Sequence, residues 1–309
     1  MDLRATREAS EIALTKDPAL KLVGYGNVSP EWFPCKVLWL KRNEPELYRK
    51  AKIIFDQPDW LVFILTGELV LNLNNITVRW FYDTETGGFP KSLYNSIGIE
   101  DIIEKLPPRI VSHGEIAGLL QKDIAEKTGL KAGIPVAAGG ADAYIGVIGV
   151  NALKSGKIAL ITGSSHLLIG LVDNEFHSAG LNGTFSNAVL EGHYVAEAGQ
   201  ISTGSVVKWF KDNFVNSAIE AAAVKNNQGI YEVLDNLAEK IPPGSEGLLV
   251  LEHWQGNRTP WVDPTSRGVI RGLTLFHTPA HIFRAIYEGV AYGTAVIIKT
   301  MENQGIEIN

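Results

Sequence analysis

The apolar runs at residues 158–161 and 167–172 of this sequence stop at strand length and lie close together in the chain. Runs of four to six residues fall far short of the ~18 needed to cross a bilayer. Buried strands must find hydrogen-bond partners in neighbouring strands, and two so close in sequence are expected to pair across a tight turn. Strands are also predicted at 183–189 and 192–196, with helices at 205–214 and 230–241 and a terminal helix from Pro279 to about residue 303. Strand pairs followed by helices predict an α/β fold.

Length and composition sharpen that expectation. At roughly 150 residues per domain, 309 residues predict two domains. With 45% hydrophobic and 20% charged residues the chain reads as soluble and globular. A net charge of −6 leaves no basic field for a nucleic-acid backbone or an anionic membrane, so neither is an expected partner. The single cysteine, Cys35, excludes an intrachain disulfide and any multi-cysteine metal site, which suits the cytoplasm. No H-E-x-x-H pair, G-x-S-x-G elbow or G-x-x-x-x-G-K-[ST] loop occurs, which removes the common zinc hydrolases, α/β-hydrolases and P-loop enzymes.

The amino-terminal half reads as rich in helix, at 2–16, 34–43, a short helix from Glu46, and 58–65 stopped by Thr66-Gly67. A short strand is predicted at 52–55 and an ordered loop over 72–90, where asparagines, aromatics and glycines show no sustained period. After a helix at 121–128, a buried strand at 133–138 runs into Gly139-Gly140-Ala141-Asp142 and a helix over 143–150. Residues 151–157 form a polar joint, and the domain boundary is placed there, giving domains 1–152 and 153–309.

Three constellations are able to carry chemistry. Asp142 sits at a strand-to-helix turn, where a carboxylate can take a proton from a bound hydroxyl or merely cap the helix. Thr162-Gly163-Ser164-Ser165 lies between two strands, as an anion-holding turn or an ordinary hairpin. Glu197-Ala198-Gly199-Gln200 leads through Ser202, Thr203 and Gly204 into a helix whose amino end favours anions. His277 and His281 read as a polar pair in a cap region.

Taken in order, these segments resemble the FGGY carbohydrate kinases, and among them the ribulokinase-like branch, over nearly the whole chain. The resemblance rests on Met1-Asp2-Leu3-Arg4-Ala5, Ser29-Pro30-Glu31-Trp32-Phe33-Pro34, Asp59-Trp60 with Leu65-Thr66-Gly67, and Arg79-Trp80 with Tyr82-Asp83. It continues through Gly133-Ile134-Pro135-Val136 to Gly140-Ala141-Asp142-Ala143, then Thr162-Gly163-Ser164-Ser165, Glu197-Ala198-Gly199-Gln200, Gly256-Asn257-Arg258-Thr259-Pro260-Trp261 and Glu288-Gly289.

The resemblance implies an actin-like, ribonuclease-H-like two-domain α/β fold that transfers the γ-phosphate of ATP, with Mg²⁺, to a sugar. The acceptor it suggests is a ketopentose such as ribulose, or a related polyol. It implies that Asp142 is the catalytic base, that Asp2, Arg79 and Glu197 bind the sugar, and that Thr162, Gly163, Gly204 and Lys208 bind the nucleotide. Arg79 stands where relatives commonly carry Lys, which keeps the charge but changes its geometry. A homodimer is a possible assembly. The family's D-x-G-T phosphate loop and glycine-rich adenosine loop do not occur in these residues, so the expectation is an internal stretch with both domains incomplete. On that expectation the 309 residues alone bind ATP weakly and transfer no phosphate, and a non-catalytic remnant that binds sugar or a partner protein is the alternative.

Overall fold

Proline and glycine set several helix limits in the computed structural model, which describes residues 4–308. Helices Phe33–Asn43, Pro45–Lys50 and Gln57–Thr66 each carry proline in the first turn, where its missing N–H would have had no helical partner. Gly67 closes the third with φ 80°, a conformation that a side chain disfavours. The first helix is Thr6–Leu14, so Asp2, at the start of the helix predicted over 2–16, lies outside the described residues.

Three sequence expectations are corrected. Residues 52–55 form no strand; Ile54 donates its N–H to the Lys105 carbonyl (2.8 Å), but no ladder continues from it. Residues 72–90 are not loop throughout. Val70–Asn72 is a strand parallel to Arg109–Val111, and Leu73–Arg79 is a helix whose residues 74–78 are all buried. A helix buried all round carries no amphipathic period, so its pattern could not announce it. The predicted buried strand over 133–138 is Pro135–Ala137, paired antiparallel with Ile116–Leu119 alone, and Pro135 and Ala137 are exposed.

The chain folds into two compact units. The first takes the sequence up to Ala159 together with Ile169–Glu197; the second takes Leu160–Leu168 and Ala198–Ile308. In the first unit Phe33 stacks on the buried Trp80 with ring centres 3.5 Å apart and planes 7° from parallel. Val62, Val70, Val111, Ala117 and Ala138 form a further cluster there. The second unit is organised by Phe210, Leu234, Leu248, Phe283 and Ile286, brought together by helices Gly204–Phe214, Ile230–Ala238 and the long Pro279–Asn303. Thr278 and His281 form a capping box at the start of that last helix, while His277, the other member of the expected pair, bonds Thr274 instead, its ring 5.4 Å from that of His281.

The turn to β structure after residue 157 is present. Strands Ile158–Thr162, His166–Val172, Tyr194–Gln200 and Asn182–Ser186 lie side by side in that order. Glu197-Ala198-Gly199-Gln200 is the buried end of strand Tyr194–Gln200. Gly199 permits this because a Cβ there would stand 2.5 Å from the His166 carbonyl oxygen. Among the described residues no helix is long and apolar enough to cross a membrane.

Candidate active site

Asp142 is the first residue of helix Asp142–Gly149, and Ala141, with extended backbone, occupies the cap position. The carboxylate is therefore not the N-cap that the alternative reading required. Its Oδ1 accepts the N–H of Ala143 (2.8 Å), and the side chain is exposed. A negative charge in a first helical turn is favoured by the aligned peptide dipoles.

The preceding turn is held by two buried asparagines. Asn72 donates its side-chain amide to the Gly139 carbonyl and accepts the Asn74 N–H. Asn74 accepts the N–H of Ala141 on Oδ1 (2.8 Å) and donates Nδ2 to the Ala188 carbonyl (2.6 Å). Behind them the buried Asp59 accepts the Asn72 N–H on Oδ1 (2.7 Å), while its Oδ2 has no hydrogen-bond partner.

Burial pushes the Asp59 carboxyl from 3.8 up to about 7, against the pull of the Asn72 N–H, and the Asp56 charge adds to the rise. The native chain thus keeps a proton that the unfolded chain has released, so stability falls as pH rises from about 4 through about 7. Asp59→Asn retains an oxygen acceptor for Asn72 and removes the titration. It should match the unmodified protein near pH 4 and exceed it at pH 8 by on the order of 4 kcal/mol. Denaturant midpoints at the two pH values measure this, and an unchanged pH slope in the variant would refute it.

Beside the turn, helix Asp142–Gly149 carries the fully buried Tyr144, whose hydroxyl donates to Glu197 Oε2 (2.7 Å). Arg79 Nη2 reaches the same oxygen at 3.0 Å, and Asn182 Nδ2 donates to Oε1 at 3.2 Å. The register Asn182↔Glu197 between adjacent strands aligns the last contact. Arg79 also lies over the Trp32 ring, 5.8 Å from its centre. Burial works against the guanidinium charge, but Glu197 and Tyr144 more than restore it and hold its pKa above the ordinary value. Burial, then the Glu197 charge, drives the Tyr144 hydroxyl well above its usual range. The result is a buried, charged cluster in which Glu197 accepts from three side chains.

In the second unit Thr162, Gly163 and Gly204 come together. A Cβ on Gly204 would lie 2.4 Å from the Gly163 carbonyl oxygen, so helix Gly204–Phe214 begins directly against the turn. The N–H groups of Thr203, Gly204 and Ser205 donate to the carbonyls of Gly163 and Ser164. Lys208, one helical turn further on, is exposed and pairs with Asp212. A Cβ at Gly163 would meet only the Ser165 carbonyl, at 3.8 Å. Gly163→Val should therefore leave the thermal midpoint within about 2 °C, and on the nucleotide role that the resemblance implies it should raise the KM for nucleotide about tenfold and that for sugar little. Equal changes in both constants would count against a nucleotide role for this turn.

The structure joins Arg79 to Glu197 and Thr162-Gly163 to Gly204, while Asp2 lies outside the described residues. Sequence reasoning missed Asn72, Asn74, Tyr144 and Asn182. The signal nearest to hand was Asn72 with Asn74, two short amide side chains in cap spacing.

Residues 25–149 match the N-terminal domain, and residues 158–309 the C-terminal domain, of the FGGY family of carbohydrate kinases. The chain belongs to this family. A ribulokinase of Bacillus licheniformis is 34% identical over 297 residues, covering 94% of this chain and 53% of the relative. One from Anoxybacillus flavithermus is 32% identical over 289 residues, 92% of this chain and 51% of the relative. These matches place the chain on the ribulokinase-like branch, and it spans about half the length of those relatives. The fold is the actin-like α/β fold of the sugar kinases. A xylulose kinase of Rhodospirillum rubrum superimposes with a TM-score of 0.77 at 23% identity, covering 99% of this chain and 59% of the other. A glycerol kinase of Plasmodium falciparum with ADP gives 0.78 at 21%, again covering 99% of this chain and 60% of the other.

Proposed function

We propose that the protein is a sugar kinase transferring the γ-phosphoryl group of ATP to a hydroxyl of a ketopentose such as ribulose, or of a related polyol. The observation that carries this reading is an exposed carboxylate, Asp142, on a turn clamped by buried asparagines, with the Arg79–Glu197–Tyr144 cluster on the neighbouring elements. Phosphoryl transfer asks mainly for positioning and charge neutralisation. Asp142 accepts the proton of the attacking hydroxyl. Arg79 and Glu197 orient the sugar, with Asp2 as a further sugar contact. Thr162, Gly163, Gly204 and Lys208 attend the nucleotide phosphates. In this reading the sugar is held from segment 1–152 with Glu197, and the nucleotide from segment 153–309. Magnesium is the proposed divalent ion. In this reading the ion arrives on the nucleotide and keeps phosphate and water oxygens.

One observation favours a second reading, sugar binding without transfer: the amides at the start of helix Gly204–Phe214 are already engaged by carbonyls of the Thr162 turn. Titration calorimetry with ketopentoses and polyols, followed by an ADP-release assay with MgATP, separates the two. Sugar-dependent ADP formation supports the kinase, binding without ADP supports the alternative, and no binding across the panel removes both.

A further inference from the structure

We propose that Asn74 is a positioning residue for Asp142: its side-chain amide, seated by Asn72, fixes the backbone that presents the carboxylate. The inference rests on the reading of Asp142 as the base and deepens it.

Asn74 has no exposed surface, and both ends of its amide are used. The oxygen takes the Ala141 N–H and the nitrogen gives to the Ala188 carbonyl, so a flipped amide would oppose like partners at both ends. Asn72 holds the Gly139 carbonyl, so the peptide groups on either side of Gly140 are fixed by side chains from one short helix and its cap. Gly140 is where the two meet. A Cβ on it would stand 2.6 Å from Asn74 Oδ1, closer than any side chain tolerates. Asp59 anchors the arrangement from behind through the Asn72 N–H.

An exposed Asp two residues after a Gly-Gly pair would otherwise sample many orientations, because glycine leaves the backbone free. Misplacing a reacting group by about 1 Å is able to reduce rate about 10²-fold. A role confined to stability predicts a different pattern, in which the thermal midpoint falls while kcat and KM keep their ratio in the folded fraction.

The test compares Asn74→Ala, Gly140→Ala and Asp142→Asn with the unmodified protein in sugar-dependent ADP release and in amide hydrogen exchange. Asn74→Ala should lower kcat about 10²-fold with sugar KM within about threefold. The Ala141 amide should exchange at least about tenfold faster, while that of Gly204, bonded to Gly163 at 3.2 Å, is unchanged. Gly140→Ala should give the same kinetic signature with Asn74 in place, which covers the case in which Asn74→Ala does not fold. An unchanged Ala141 exchange rate in a folded Asn74→Ala protein overturns the proposal. Loss of turnover in Asp142→Asn with normal kcat in the other two variants overturns the positioning role alone. Turnover that survives Asp142→Asn overturns the base reading itself.

Discussion

Asp142→Asn, made in a chain extended to the full length of its relatives, is expected to lower sugar-dependent ADP formation by about 10²–10⁴-fold, the range typical of a lost general base. The substitution keeps the size of the side chain and an oxygen able to accept the Ala143 N–H, which Asp142 Oδ1 now takes at 2.8 Å. It removes the basic oxygen that the proposed role requires, the one that takes the hydroxyl proton. Sugar affinity should stay within about threefold by calorimetry, since binding is assigned to the Arg79–Glu197 cluster, and the thermal midpoint should hardly move because the residue is exposed. A loss smaller than about tenfold would remove Asp142 from the role of base. A parallel loss of sugar binding would instead indicate a displaced turn.

Glu197→Ala should be the most damaging single change to both stability and sugar binding. Glu197 is 1% exposed and receives Arg79, Tyr144 and Asn182. Without its carboxylate the guanidinium and the Tyr144 hydroxyl lose a shared acceptor in a largely dry setting. Breaking a buried ion pair from one side typically costs about 3–5 kcal/mol. The lower end applies here, because the Arg79 side chain keeps 26% of its surface exposed. Replacing both partners, as Arg79→Met with Glu197→Gln, should restore much of the stability, since an uncompensated charge is no longer left behind. It should not restore sugar binding. Denaturant midpoints and sugar calorimetry on the single and double variants check this. A Glu197→Ala protein of normal stability, or a double variant that binds sugar normally, would sink the assignment.

Local chemistry was legible in the sequence wherever a short stretch decides its own conformation. Proline at helix starts, Gly67 and Gly129 at helix ends, and the Gly139–Asp142 turn are of this kind, because steric limits on φ act within a few residues. Ordered motifs carried the family in the same way. Helix Leu73–Arg79 was not legible: it is buried on all sides, and the periodicity that marks a helix exists only when one face meets water. The exposure of Pro135–Ala137 was equally hidden, since an apolar run does not say how many layers will cover it.

By itself, then, the sequence determined the α/β class, the helix stops and the family, and it supplied the polar side chains. Tertiary structure decided which of them meet. Arg79 and Glu197 are 118 residues apart in the chain, and Asn74 and Ala188 are separated by 114. Each contact arises because strand register and helix packing bring distant backbone together, and each persists because a buried polar group without a partner is costly. No local pattern encodes such a pairing: the condition that selects it, loss of water around both groups at once, exists only in the folded chain.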